Sequence, residues 1–191
     1  MARLICEHGS LDERARRRGR PRDAYGALLR SIVGQQLSTK AAHRIYERLT
    51  EPFGGRAPAP RELLAADPES LRAAGISRAK VAYLRDLAAR VEDGELSLDR
   101  LAELPDEEVS AQLTAVKGVG QWTADMFLIF HLGRPDVLPV GDLGIRRAVQ
   151  AAYALPALPD AGALERIAER WRPYRSLACL YLWRSLAGAP V

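Results

Sequence analysis

The sequence predicts an all-α protein, and three observations support this. Nearly every apolar stretch repeats with the 3.6-residue period of an amphipathic helix. The breaks between the stretches fall at residues that cap helices, and no two segments show the alternation typical of paired strands. The 191 residues are 48% hydrophobic, so the chain can bury a sizeable core in one or two compact lobes.

The first half of the chain contains several predicted helices separated by clear breaks. An apolar stripe at helical spacing runs through residues 25–33, and a second helix follows Ser38, a residue type that caps helix N-termini. Residues 51–60 carry three prolines and two glycines and are predicted to form a loop. Asp67 and Pro68 have the pattern of an N-cap followed by a first helical residue. A further amphipathic helix contains Val81, Leu84, Leu87, Ala88 and Val91.

The second half continues this pattern. Ser97 and Asp106 are candidate caps for two more helices. After an interruption at residues 117–120 the helical period resumes, until a glycine and a proline within residues 133–135 stop it. Three helices follow, and the last of them, residues 177–186, is apolar on most sides. We therefore expect that helix to be buried.

The charge of the chain is compatible with a polyanionic partner but does not establish one. The formal net charge is +4 at pH 7, a value that many proteins without such a partner share. The densest basic cluster, Arg14–Arg22, is interpreted either as a phosphate contact or as a solvated connector.

The sequence predicts neither a membrane span nor a secretory signal. No apolar run approaches the ~18 residues that a span requires, and the apolar stretch within residues 1–8 is too short for a signal peptide. We therefore expect a cytoplasmic protein, nucleoid-associated if its host is bacterial. Two cysteines and three scattered histidines give little support to a metal site. We expect no metal and no required cofactor, and nothing demands more than a monomer.

Residues 113–124 have the form of a helix that ends in Gly-Val-Gly and restarts at once. The glycines permit positive φ and leave the backbone bare, so such a turn can direct N–H groups at an anionic oxygen near the N-terminus of the second helix. Val119 would face inward as an apolar pin. This clamp would grip phosphate without reading sequence, and its predicted contacts are Lys117, Gly118, Val119, Gly120, Gln121 and Thr123.

The residues of this turn also have simpler interpretations. A Gly-x-Gly pattern is often a helix C-cap glycine followed by an unrelated helix, and Lys117 has the alternative of a solvated surface side chain. A monovalent cation held by the carbonyls of the hairpin is a further expectation.

Four segments resemble one family, in the same order along the chain. Residues 115–129, which contain Lys-Gly-Val-Gly-Gln-Trp-Thr-Ala, resemble the helix-hairpin-helix motif of the helix-hairpin-helix-GPD superfamily of DNA glycosylases. Residues 137–147, Val-Leu-Pro-Val-Gly-Asp-Leu-Gly-Ile-Arg-Arg, resemble its Gly/Pro-rich loop with the aspartate. Residues 32–42 and 171–184 are similar to segments of its alkylbase group, the relatives of 3-methyladenine-DNA glycosylase II.

The resemblance implies a two-lobed helical fold with the active-site cleft between the lobes. Residues 23–135 would form the hairpin-bearing lobe, and residues 1–22 with 136–191 would form the second. The implied activity is base excision repair: a damaged base is flipped out of double-stranded DNA and its N-glycosidic bond is hydrolysed. The implied substrates are alkylated purines such as 3-methyladenine and 7-methylguanine. Bifunctional members carry a lysine nucleophile where this chain has Trp122, so no lyase activity is expected.

Asp142 directly follows the Pro/Gly loop and precedes a predicted helix. Taken alone it is an N-cap. The resemblance makes it the catalytic carboxylate, and the two roles can coexist. Cleavage of the C1′–N bond builds an oxocarbenium-like cation on the deoxyribose, which a nearby carboxylate stabilises while it orients or deprotonates the attacking water.

The resemblance also implies a set of residues around the flipped base. Trp122 and Tyr174 would be aromatic walls, suited to a cationic alkylated purine through cation–π attraction. Met126 would line the same pocket, and Gln35 would support it from beneath. Core packing is the alternative role for both aromatic residues.

A second implied element is the wedge that fills the gap left by the flipped base. The resemblance assigns this role to Gln36 or Leu37, in the turn before the helix that Ser38 caps. The alternative for Gln36 is a buried side chain that is hydrogen-bonded across two helices.

Two other functions stay open on the sequence alone. A non-catalytic DNA-binding module would use the hairpin only to hold phosphate, and it would bind DNA in a salt-sensitive way without releasing any base. A glycosylase for oxidised, mismatched or uracil bases would differ only in the lining of its pocket.

Overall fold

The computed structural model describes residues 1–11, 21 and 23–186, and every regular element in this part of the chain is helical. The all-α prediction is therefore confirmed. The α-helices of the first part are α1 (Ala2–His8), α2 (Ala24–Gly34), α3 (Thr39–Thr50), α4 (Pro60–Ala65), α5 (Pro68–Ala73) and α6 (Arg78–Glu92). Those of the second part are α7 (Asp106–Thr114), α8 (Gln121–Phe127), α9 (Leu143–Ala152), α10 (Ala161–Ala168) and α11 (Arg175–Ser185).

Shorter helical turns connect these helices. Three are 3₁₀ turns, Glu51–Phe53, Leu98–Glu103 and Glu169–Trp171. A π-helical turn, Leu128–Leu132, follows α8. None of the helices in the described residues is both long and apolar enough to cross a lipid bilayer.

The chain divides into two compact units. Residues 20–127 form one, called here the hairpin unit, and residues 1–19 with 128–191 form the other, called the terminal unit. The predicted functional lobes, 23–135 and 1–22 with 136–191, stay a prediction.

The hairpin unit is built around α6. This helix packs against α2, α4 and α5, and α8 packs against α2 and α7. The core consists of aliphatic side chains that are almost fully excluded from water, and each contributes about 1.5–3 kcal/mol through burial; among them are Leu28, Leu29, Ile32, Leu63, Leu84, Leu87 and Leu113.

Side-chain caps fix where several of these helices begin. Ser38 accepts a hydrogen bond from the amide of Ala41 at the start of α3, and Asp67 accepts one from the amide of Glu69 at the start of α5. Both caps were predicted and are confirmed. The prediction for Asp106 was wrong by one position, because Pro105 occupies the N-cap and Asp106 is the first residue of α7.

The terminal unit packs α9 and α1 against α11. The predicted burial of the last helix is confirmed, since Ala178, Cys179, Leu180, Tyr181 and Leu182 are all buried. The Asp136 carboxylate accepts hydrogen bonds from the backbone and the guanidinium of Arg175. Burial opposes ionisation of Asp136, but these bonds outweigh it and lower its pKa. The loop before Asp142 is thereby tied to the start of α11.

Candidate functional site

Asp142 is the N-cap of α9, as its position after a Pro/Gly loop predicts. Its Oδ1 accepts a hydrogen bond of 2.8 Å from the amide of Ile145. Its own amide donates to the Pro139 carbonyl at 2.9 Å, which closes a tight turn just before the helix. Asp142 is neither buried nor fully exposed. A half-buried carboxylate with a fixed direction is suited to act on a positive charge that develops beside it.

A second donor reaches the same oxygen from α11. The indole Nε1 of Trp183 donates a hydrogen bond of 3.0 Å to Asp142 Oδ1. The Trp183 ring is in turn stacked on Phe130, with ring centroids 5.6 Å apart and an interplanar angle of 28°. This bond joins residues that are 41 positions apart in the chain, so it depends on the packing of α9 against α11.

Gly144 leaves the space that this arrangement needs. A Cβ atom at this position would lie 3.0 Å from Asp142 Oδ1 and 3.4 Å from Trp183 Cδ1. An added Cβ atom would therefore crowd the Asp142 carboxylate and lie in van der Waals contact with the Trp183 ring. The requirement is one of close approach, because the backbone at Gly144 is ordinary helix.

Sequence reasoning did not assign Trp183 a role at Asp142. It placed Trp183 only within a segment that resembles the family. The available signal was chemical: a tryptophan on a helix that is apolar on most sides still needs a hydrogen-bond partner for its indole N–H. The sequence gives no way to choose that partner among distant residues.

The predicted hairpin is present between α7 and α8. Gly118 has φ of 76°, in the left-handed region that favours glycine. Val119 is 5% exposed, so its side chain is buried as the pin prediction requires. Gly120 is exposed, and a Cβ atom there would meet nothing within 4 Å. The second glycine therefore leaves bare backbone at the surface.

Only some amides of this hairpin can donate to a ligand. The amide of Lys117 donates to Asp86 Oδ2 at 2.9 Å, that of Val119 to the Val116 carbonyl and that of Thr123 to the Gly120 carbonyl. The amides of Gly118, Gly120 and Gln121 have no acceptor among the described residues. The backbone donors of the predicted phosphate clamp are thus reduced to these three.

The side chains of Gln121 and Thr123 also have partners within the protein. Gln121 Nε2 donates to Asp125 Oδ1 at 2.8 Å. Thr123 is 3% exposed, and its hydroxyl accepts from Gln35 Nε2 at 3.4 Å. Their predicted contacts with phosphate, and a cation on the hairpin carbonyls, stay predictions.

The predicted wedge turn follows α2. Gln36 has φ of 58°, which is unusual for a residue other than glycine, and its side chain is exposed. Leu37 is 40% exposed. The burial proposed as the alternative for Gln36 is wrong. The glutamine with hydrogen bonds to another part of the fold is Gln35, whose Nε2 donates to the Gly118 carbonyl at 2.9 Å as well as to Thr123.

The two predicted pocket aromatics are not core residues. Trp122 is 44% exposed and Tyr174 is 61% exposed, so the core-packing alternative is wrong for both. Met126 is half-buried. Both rings are therefore accessible to a ligand. Their assignment to one base pocket stays a prediction.

The Asp125 carboxylate is a feature that sequence reasoning missed. It lies on α8, is 7% exposed and accepts the hydrogen bond from Gln121. Burial raises the pKa of Asp125, and the Gln121 hydrogen bond only partly opposes this. The arginine cluster Arg14–Arg22 lies outside the described residues apart from Pro21.

The chain belongs to a known superfamily. Residues 29–173 match the family described as HhH-GPD superfamily base excision DNA repair protein, which covers the hairpin, the Asp142 loop and the turn after α2. The sequence-based recognition is confirmed.

Curated relatives carry consistent names. DNA-3-methyladenine glycosylase 1 of Schizosaccharomyces pombe is 36% identical over 166 residues, which cover 86% of this chain and 73% of that protein. The putative DNA-3-methyladenine glycosylase YfjP of Bacillus subtilis is 32% identical over 168 residues, covering 85% of this chain. The chain spans 58% of the length of this second relative, less than two thirds of it.

Solved structures agree with the predicted fold. The S. pombe 3-methyladenine DNA glycosylase Mag1 in complex with abasic DNA superimposes with a TM-score of 0.85 at 33% identity, covering 96% of this chain and 89% of that one. A DNA-3-methyladenine glycosidase from Bacillus halodurans gives a TM-score of 0.83 at 39% identity, and the match covers 98% of this chain and 83% of that one.

Proposed function

We propose that this protein is a monofunctional DNA glycosylase of base excision repair. It flips alkylated purines, of the 3-methyladenine and 7-methylguanine type, out of double-stranded DNA and hydrolyses their N-glycosidic bond. The observation that carries the proposal is the Asp142 carboxylate, whose Oδ1 is held by Ile145 and Trp183 in a chain of this superfamily.

Asp142 stabilises the transition state electrostatically. As the C1′–N bond breaks, positive charge builds on the deoxyribose, and a carboxylate held beside C1′ lowers the energy of that charge. The same group orients or deprotonates the water that attacks C1′. Two fixed donors on one oxygen keep the side chain in a single rotamer, so little reorganisation is needed during the reaction.

Hydrolysis without strand cleavage follows from the residue at position 122. A lyase of this superfamily needs an amine there to form a Schiff base, and an indole has no nucleophilic amine. The reaction then ends with the free base and an abasic site.

Alkylated purines suit the exposed aromatic rings. A purine methylated at N3 or N7 carries positive charge, and an indole face attracts a desolvated cation by roughly 2 kcal/mol. The positive charge also makes the base a good leaving group, so a strong general acid is not required. The name of the S. pombe relative, a 3-methyladenine glycosylase, supports this substrate class.

DNA is held by backbone donors that do not read sequence. The amides of Gly118, Gly120 and Gln121 are the hairpin donors that remain for a phosphate. The abasic DNA bound by Mag1, which is similar over 96% of this chain, supports DNA as the partner.

The test compares two aspartates that cap neighbouring helices. The variant Asp142→Asn keeps a good N-cap but removes the negative charge. We expect release of 3-methyladenine and 7-methylguanine from methylated duplex DNA to fall by about 100-fold or more, measured by chromatography of the freed bases. Binding to a duplex with a tetrahydrofuran abasic analogue should survive.

The matched control is Asp160→Asn, in which the aspartate at the start of α10 makes the same capping bond, to the amide of Ala163 at 2.7 Å. It should retain full activity. Unchanged excision by Asp142→Asn would remove Asp142 from the mechanism. A wild-type protein that binds DNA but releases no base from any lesion would instead indicate a non-catalytic binding module.

A further inference from the structure

One face of α6 contacts both turns that are proposed to engage DNA. Lys80, Tyr83 and Asp86 are spaced three residues apart on this helix, so each side chain neighbours the next one along its surface. Each reaches backbone outside α6, in the segment 33–35 or in the hairpin 117–120. All of these residues belong to the hairpin unit.

Lys80 holds the end of α2. Its Nζ donates to the Val33 carbonyl at 2.8 Å and to the Gln35 carbonyl at 2.7 Å. The last carbonyls of a helix lack intrahelical partners and carry the negative end of the helix dipole, so an ammonium group is well placed there. The residue that follows, Gln36, has its unusual positive φ. Lys80 therefore fixes the backbone from which the proposed wedge projects.

Tyr83 and Asp86 hold the hairpin. The Tyr83 ring lies against the bare backbone of Gly118, where an added Cβ atom would overlap the ring. Asp86 Oδ2 accepts from the amide of Lys117 at 2.9 Å and from Arg90 Nε at 3.1 Å. The hairpin is thus held at two successive residues by one helix.

Gln35 closes the network between the two turns. Its carbonyl accepts from Lys80, and its side-chain amide donates to the Gly118 carbonyl and to the Thr123 hydroxyl. Each turn is therefore connected to α6 and also directly to the other. A displacement of one turn would break bonds at the other.

We propose that Lys80, with Tyr83 and Asp86, is a positioning residue that sets the wedge turn and the phosphate-binding hairpin in one fixed arrangement. This inference rests on the proposed function and adds to it the way in which flipping is coupled to backbone binding. The hairpin binds a phosphate of the duplex. Because the distance between the hairpin and the wedge turn is fixed, Gln36 and Leu37 are then positioned at the gap in the base stack. Lys80 itself touches neither base nor phosphate in this scheme.

The test separates binding of damaged from undamaged DNA. The variant Lys80→Met keeps the aliphatic stem and removes both hydrogen bonds. We expect its preference for a tetrahydrofuran-containing duplex over the same undamaged duplex to fall roughly tenfold, because a misplaced wedge no longer fills the gap. Affinity for the undamaged duplex should stay within about twofold, since the hairpin amides still bind phosphate.

Two further variants sharpen the result. Arg78 lies two residues earlier on α6, is exposed, and its side chain has no hydrogen-bond partner in the described part of the chain. Arg78→Met therefore controls for the loss of one positive charge. It should leave the preference for the damaged duplex unchanged. Lys80→Arg keeps a hydrogen-bond donor and should therefore retain part of the preference for the tetrahydrofuran-containing duplex that Lys80→Met loses. A Lys80→Met protein with an unchanged preference overturns the proposal. An equal loss of affinity for both duplexes, with a lowered melting temperature, overturns it as well.

The binding preference does not depend on catalysis. If the wild-type protein releases no alkylated base, the proposed function fails, while the ratio of the two affinities still reports on whether the turns are coupled through Lys80.

Discussion

The starts of α9 and α10 have the same local structure and differ in one distant contact. Each is preceded by an N-cap aspartate whose Oδ1 accepts a hydrogen bond from the amide three residues further on. Asp142 accepts from Ile145, and Asp160 accepts from Ala163. Each has a glycine two residues after the aspartate. Only the Asp142 oxygen also accepts a hydrogen bond from a tryptophan on another helix.

This comparison separates capping from catalysis. A cap stabilises the end of its own helix and needs only residues that are near in sequence. The proposed catalytic role needs a carboxylate whose direction is fixed by the rest of the fold. Two substitutions test whether the distant contact accounts for that difference, beyond the charge removal in Asp142→Asn, and a third contrasts these capping aspartates with a buried one.

The largest expected effect comes from Trp183→Phe. The change removes the donor to Asp142 and keeps an aromatic ring to stack on Phe130. A hydrogen bond to a charged group contributes about 1.5–3 kcal/mol, so we expect base release under single-turnover conditions to fall about 10- to 100-fold.

The matched control is Trp171→Phe, which removes a tryptophan N–H that donates to the Tyr153 hydroxyl at 3.1 Å. It should lower the melting temperature without a comparable loss of rate. Equal rates for the two variants would mean that the Trp183 bond contributes only to stability.

An intermediate effect is expected from Gly144→Ala. The new methyl group would lie within 3.0 Å of Asp142 Oδ1, so the carboxylate must shift, and we expect roughly a tenfold lower single-turnover rate. At the equivalent position of α10, a Cβ on Gly162 would come no closer than 3.4 Å, to an arginine side chain.

Gly162→Ala should therefore retain activity and gain about 0.5–1 kcal/mol of stability, because alanine loses less backbone entropy in a helix. Similar kinetics for Gly144→Ala and Gly162→Ala would show that the site tolerates movement of Asp142.

The smallest effect concerns a third aspartate, Asp125, which is buried and has a raised pKa. Because the folded pKa lies above the unfolded value, the Asp125 contribution to stability is fully present at low pH and is lost as the pH rises through the folded pKa. Asp125→Asn removes this pH-dependent loss of folding stability, because asparagine does not ionise. Urea denaturation should show the variant gaining stability relative to wild type from pH 4 to pH 7, and a parallel dependence in both proteins would contradict the assignment.

Features set by neighbouring residues were predictable from the sequence. The caps at Ser38, Asp67 and Asp142, the hairpin at Gly118 and Gly120, and the burial of α11 all follow from short-range rules and are present. Ser97 shows the limit of such rules, because it begins a 3₁₀ turn and its side chain caps nothing. The apolar stripe alone could not exclude core packing for Trp122, since such a stripe gives a helical face but not what covers that face; in the structure the ring is exposed.

The sequence by itself determined the helical class, the positions of the turns and the identity of the aspartate that begins α9. Only the tertiary structure decided which groups hold that aspartate and which hold the two turns. The physical reason is distance along the chain: a cap joins residues three apart, whereas the Trp183 bond spans 41 residues and those of Lys80 span 47 and 45. Such bonds form only where packed helices bring a donor and an acceptor together.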